Sequence, residues 1–351
     1  MIRSIAIASL MAFAAPEARS ETPPLILALK GLDPVSLAAG QETPGLESLE
    51  ATFGRFKYRF ATAANRKAFL AKPEAHAIQF GGACGKMGPF SGSGNAERYF
   101  IHDKRIYIFA SDFCRDAFKK SPESYIERPN AAPVGTEEEK REGAKRVARA
   151  LEGFGGAAAV DGLKTMSRVE SITYRQGGKE TVGAGRATWV FPDSVRVEED
   201  YGTAYGHVVK GNAGFELYGK MSWPLEPALR DDAWRRALRE PLMMLRNRGV
   251  KGFVAVARGD DRVEVSLDGA TSLWTLDAKT GRIVKAEYKS RRATVGDTSV
   301  VYSDFKTVKG LVLPHARAVS FNGKAIVVPE TRLEKLDVNP DVKPELFLQP
   351  K

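Results

Sequence analysis

The stretch FASDFCRDAFKKSPESY, Phe109 to Tyr125, repeats one that stands forty-nine residues earlier: FATAANRKAFLAKPEAH, Phe60 to His76. Phe, Ala, Arg, Ala, Phe, Pro and Glu recur at matching places. Each copy reads as a short alternating strand and then a helix. FKYRF (Phe56 to Phe60) and RIYIF (Arg105 to Phe109) are the strands. Thr62 and Ser111 stand where an N-cap belongs, and ANRKAFLA and FCRDAFKK are the helices. Pro73 and Pro122 end them, because the residue before proline resists helical backbone angles. Phe69 and Phe118 are the expected core anchors. Asn65 and Cys114 lie one turn earlier on the same face, so Cys114 is expected to point inward. Between the copies runs a glycine-rich loop, FGGACGKMGPFSGSGN, with Cys84 and Met87.

Working outward, 351 residues with 43% hydrophobic and 27% charged content fit two ordinary globular domains. The first twenty residues, MIRSIAIASLMAFAAPEARS, read as an export signal: an early Arg, a short apolar run, then Ala18-Arg19-Ser20. The expected location is therefore the periplasm. No later apolar run reaches the ~20 residues a spanning helix needs. The net charge of +10 is spread along the chain, with 15 basic against 12 acidic residues in 21–128 and 36 against 30 in 129–351. Without a basic block interleaved with aromatics, nucleic acid is not an expected partner. The catalytic motifs HExxH and GxSxG, a Walker loop and a dinucleotide fingerprint are all missing, so no catalytic residue is named.

PNAAPVGTEEEKREG, Pro129 to Gly143, reads as a linker. A helix from Ala144 to about Leu151 follows, ended by Gly153, Gly155 and Gly156. Strands then come in succession, interrupted by one helical insert from Leu225 to Arg248. The expected fold class is α+β. A small duplicated strand–helix domain (26–128) precedes a half-open antiparallel β-barrel with a helical lid (144–351).

The first domain resembles a YHS domain, a small treble-clef metal-associated module. The resemblance rests on Lys30 to Val35, Phe60 to His76, Gly81 to Cys84, His102 to Tyr107, and Phe118, Pro122, Glu123 and Tyr125. It implies metal ligands at Cys84 and Cys114, with Met87 near a methionine position and His76 and His102 as helpers. Ala110 departs from the pattern and removes one thiolate. With so few ligands, a structural zinc site is incomplete. Copper(I) suits soft sulfur donors better. The cysteines leave three readings open: a disulfide, a metal site or unpaired thiols. Export favours the disulfide, which would close a loop of about 30 residues and contribute roughly 3–4 kcal/mol. His76 reads as a cation at a helix C-terminus and His102 as a strand or turn residue.

The second domain is similar to the lipoprotein-carrier superfamily, the LolA/LolB type of outer-membrane lipoprotein-sorting proteins. The similar pieces are Ala148 to Leu163, Phe191 to Arg196, Leu276 to Gly281 with Lys285, Phe305, Leu311 to Pro314 and Val338 to Asp341. This implies an apolar cavity for acyl chains under a helical lid. The expected lining is Trp189, Val195, Val197, Phe215, Leu217, Trp234, Leu238, Leu242, Trp274, Leu276 and Tyr288. Any of these also reads as plain core. Arg235, Arg236, Arg239, Arg246 and Arg248 of the insert face either anionic head groups or water. The function expected is non-enzymatic binding of a lipid or lipoprotein acyl chain, with an envelope protein as partner. The alternative is copper handling through Cys84 and Cys114.

Overall fold

A computed structural model describes residues 24–349, apart from 177 and 328. The expected export signal lies outside the described residues.

The two strand–helix copies form, each helix starting one residue earlier than expected. Phe56–Phe60 and Arg105–Phe109 are strands, followed by helices Ala63–Ala71 and Asp112–Lys120. Thr62 and Ser111 cap them, accepting from the backbone N–H of Asn65 (3.1 Å) and Cys114 (3.2 Å). Phe69 and Phe118 are fully buried among aromatic neighbours: Tyr58 and Phe60 in one copy, Tyr107 and Phe109 in the other.

The duplication is longer than its sequence signal. Each copy also owns an outer strand, Leu46–Phe53 or Asn95–His102, which pairs antiparallel with its inner strand through the same register shift. Upstream of these lie two matching left-handed turns, at Leu29 and Lys30 and at Phe80 and Gly81. The closing contacts repeat as well. Gly45 donates to the Gly31 carbonyl and Gly94 to that of Gly82; Asp33 donates to Thr43 and Cys84 to Gly92. A Cβ on Gly45 would fall 2.5 Å from the Arg59 backbone, and one on Gly94 2.9 Å from that of Ile108. The loop passes so close to the inner strand that only glycine fits there in both copies.

The expected linker is partly helix. Thr136 and Glu139 make a reciprocal capping box, and the helix runs Glu137–Gly153, seven residues earlier than expected. The charge run read as linker is therefore its first turns, with Glu137, Glu138 and Glu139 at the positive end of its dipole.

The remainder folds as two seven-stranded antiparallel sheets rather than one continuous sheet. In one, the order is Met221–Pro224, Ala213–Tyr218, Ala204–Lys210, Ser194–Asp200, Lys179–Val190, Thr165–Gln176, Glu330–Val338. In the other, Val254–Ala257, Arg262–Leu267, Ala270–Leu276, Ile283–Arg291, Val295–Val308, Leu311–Phe321 and Lys324–Ala325 pair in chain order. Among the described residues no ladder joins Leu311–Phe321 to Glu330–Val338, so the barrel stays open along that seam. The insert is two helices, Pro227–Leu238 and Pro241–Arg246, because Pro241 cannot continue the first. Leu238, Leu242, Met243, Met244 and Leu245 of the insert share one core with Trp274 and Leu276 of the second sheet and with Ala150 and Leu151 of the long helix.

Candidate functional site

A cavity of about 1030 Å³ opens between the two sheets at the unjoined seam. Its apolar floor comes from alternate residues of neighbouring strands, which point to one face because the strand period is two: Ala187 and Trp189, Val195 and Val197, Val300 and Tyr302. Ala233 and Ala237 of the first insert helix close one side, and Ile326 and Val327 of the seam connection another. Phe90, from the glycine-rich loop of the N-terminal unit, forms part of the wall. It stacks on His207 at 4.5 Å, with the Arg236 guanidinium 5.3 Å from its ring.

The walls are strongly basic: Arg168, Arg175, Arg236, Arg239, Arg292 and Arg317 against Glu199, Glu240 and Glu330. Arg168 lies over Trp189 at 5.1 Å, and its nearest carboxylates are Glu170 at 3.5 Å and Glu240 at 3.6 Å. Its Nε is buried without a hydrogen bond. Arg317 holds Glu170 with two bonds from one nitrogen, at 2.7 and 2.8 Å. Arg239 pairs with Glu127 and lies over Tyr288. Burial pulls the pKa of Arg168 and Arg292 below the ordinary guanidinium range. Burial also brings that of His207 down to about 4, so His207 is neutral at pH 7.

Of the residues expected to line a cavity, Trp189, Val195, Val197 and Tyr288 do so. Leu242 lines a smaller neighbouring pocket of about 260 Å³. Leu238, Trp274 and Leu276 lie in the main core. Phe215 and Leu217 belong to a separate cluster with Val208 and Phe347. Trp234 is half-buried and donates to Asp268 at 3.0 Å. Of the insert arginines, Arg236 and Arg239 line the cavity, Arg236 also pairing with Asp232 at 2.9 Å; Arg246 and Arg248 pair with Asp161, and Arg235 with Asp232 at 3.5 Å. Cavity residues that the sequence alone does not single out include Phe90, His207, Tyr302 and the strand arginines. The arginines read as solvent-facing because of their charge, and Phe90 sits in a distant loop.

In the N-terminal unit the expected Cys84–Cys114 disulfide is not formed: both are free thiols, within one aromatic cluster. The duplication supplies a physical reason. Cys84 occupies the place of Asp33, Cys114 that of Asn65 and Met87 that of Ser36. In the first copy the Asn65 amide donates to Asp33 at 2.8 Å and to Ser36 at 3.1 Å. An Asp–Asn pair reaches further than two cysteines and meets across a hydrogen bond, whereas a disulfide needs sulfurs ~2.05 Å apart. Met87 is 45% exposed. His76 is half-buried, and burial lowers its pKa, so it is not the expected cation. His102, Asp103 and Glu123 gather within 4.8 Å. Arg128 reaches Glu123 at 2.8 Å and Asp103 at 3.6 Å, which makes the group an ion-pair network.

Among the described residues, no helix is long and apolar enough to cross a membrane. The fold is α+β, mostly antiparallel, with an unclosed β unit. No protein-family model and no curated protein matches the chain. Among solved structures it is similar to a LolA superfamily protein from Nitrosomonas europaea, with 13% identity over 59% of this chain and 97% of that one, at a TM-score of 0.38. It is similar also to a putative outer membrane lipoprotein-sorting protein domain from Vibrio parahaemolyticus, with 12% identity over 60% and 96% of the chains and a TM-score of 0.36. A DUF1329 family protein from Desulfovibrio piger gives 9% identity over 60% and 97%, with a TM-score of 0.37.

Proposed function

We propose that the chain is a non-enzymatic periplasmic binding protein whose half-open β unit holds a lipid or the acyl chains of a lipoprotein. The cavity carries this reading. Its volume of about 1030 Å³ lies at the upper end of the ~300–1,000 Å³ usual for ligand pockets. Its floor is apolar, and the open seam gives a chain-shaped ligand a way in. The YHS-like unit serves as a structural or docking module for an envelope partner, and it contributes Phe90 to the cavity wall. Delipidated protein is expected to take up a fluorescent fatty-acid analogue in a saturable way, with energy transfer from tryptophan. Absence of uptake across fatty-acid and phospholipid analogues would sink the reading.

A second reading has one observation behind it. Three sulfur-bearing residues, Cys84, Cys114 and Met87, replace three hydrogen-bonded residues of the first copy. This donor set fits copper(I). The expected result is copper(I) uptake by the reduced protein that Cys84→Ser abolishes. Unchanged uptake in that variant would remove the site.

A further inference from the structure

The arginines of the cavity are incompletely neutralised. Glu127 takes Arg239, Glu170 takes Arg317, and Arg168 shares Glu170 and Glu240 at 3.5 and 3.6 Å. Among the described residues, no carboxylate comes within ion-pair distance of Arg292. The Arg168 Nε is buried and makes no hydrogen bond, with the Glu170 carboxylate 3.5 Å away as its ion-pair partner. A buried guanidinium nitrogen without a hydrogen bond is costly unless something else accepts from it. Arg292, Arg317, Arg168, Tyr288 and Tyr302 all line the same cavity, and Tyr302 and Arg317 are direct cross-strand partners. On the other side of Arg168 lies Trp189, whose ring begins the apolar floor. A basic end and an apolar end thus meet in one space.

We propose that the cavity selects an anionic amphiphile. A carboxylate or phosphate head is held by Arg168, Arg292 and Arg317, and one or more alkyl chains run along Trp189, Val195 and Val197. A neutral glyceride, ester or alcohol leaves Arg292 without a counter-charge and the Arg168 Nε without a hydrogen bond, and binds less well. This inference rests on the lipid-binding reading and narrows it to a head-group class.

The test is competition against a fluorescent fatty acid on the delipidated full chain at pH 8. The competitors are hexadecanoate, hexadecyl phosphate, hexadecanol and inorganic phosphate. The acid and the alkyl phosphate are expected to compete at least roughly tenfold better than the alcohol, as charge-assisted hydrogen bonds to a buried arginine imply. Inorganic phosphate is expected not to compete. Arg292→Gln, at a solvent-exposed bend that also lines the cavity, should reduce acid affinity several-fold and leave the alcohol unchanged. Arg317→Gln should act in the same direction. Equal competition by acid and alcohol overturns the head-group inference while lipid binding stands. Competition by inorganic phosphate as strong as that of the alkyl phosphate replaces it with a simple anion site. No binding of any probe overturns this inference together with the reading beneath it.

Discussion

The two copies of the N-terminal unit share a backbone and differ in the chemistry at their seam. In the first, Asp33 accepts from the backbone of Val35 and Ala61 and from the Asn65 amide, at 2.7–2.8 Å. In the second, Cys84 and Cys114 occupy those places as free thiols. The copies also face different neighbours. The Gly54–Arg55 turn of the first lies against buried Glu226 of the second unit, whereas the matching Asp103–Lys104 turn lies at the surface. The glycine-rich loop of the second copy instead reaches the cavity, gripped by Arg291, which donates to the carbonyls of Lys86, Met87 and Tyr125. Aromatic anchors and close-approach glycines hold the backbone in common, which leaves the seam and the turns free to acquire separate tasks.

The largest effect tests the shared part. Phe69→Ala and Phe118→Ala should each cost about 3–5 kcal/mol, since each ring is fully buried within an aromatic shell. Urea unfolding measures both. A loss under ~1 kcal/mol at either position would break the equivalence of the two cores.

The next test concerns the docked turn. Burial raises the pKa of Glu226 to about 7, against an ordinary value of 4.5. The folded state holds this proton more tightly than the unfolded chain, so stability is greatest below pH 4.5 and falls as pH rises towards 7. Glu226→Gln should remove that slope and be more stable at pH 8 by on the order of 2–3 kcal/mol. The difference between the two proteins, followed by thermal melts from pH 4 to 8, isolates this group from Glu216 and Arg55 beside it. A pH-independent difference would show that Glu226 is not desolvated by the turn.

The seam itself gives a smaller contrast. Asp33→Ala leaves several half-buried donors without an acceptor and should cost about 2–4 kcal/mol. Cys84→Ala removes one buried sulfur and should cost about 1 kcal/mol. Denatured, unreduced protein should show two reactive thiols; none would restore the disulfide.

The sequence made the aromatic and capping pattern of the copies legible because Phe69, Phe118, Thr62 and Ser111 act locally, within one helix turn. The upstream halves escaped notice because Leu-Lys-Gly and Phe-Gly-Gly share a backbone shape rather than side chains. In the second unit, strand alternation revealed Trp189, Val195 and Val197. The inward arginines were hidden because a charged residue in an alternating strand reads as solvent-facing, and only the gap between the two sheets turns Arg168 and Arg317 inward. Phe90 was invisible for another reason: its partner His207 stands more than a hundred residues away in the sequence.

The smallest effect separates the copies at their C-terminal ends. Glu74 and Glu123 occupy matching positions, yet among the described residues only Glu123 makes an ion pair, with Arg128, and it also hydrogen-bonds His102. The Arg128 hydrogen bonds, and then that from His102, hold the Glu123 pKa down to about 2. A depressed carboxylate contributes stability above its unfolded pKa and loses it as pH falls from about 4.5 towards 2. Because Glu123 is more than half exposed, solvent screening limits the contribution to about 0–1 kcal/mol. Glu123→Gln should therefore lower stability slightly at pH 7, less so at high salt, and Glu74→Gln should change nothing. Thermal melts of both variants at two ionic strengths check this. A salt-insensitive loss at Glu123 would mean that the network supports packing around Tyr125 rather than acting through charge.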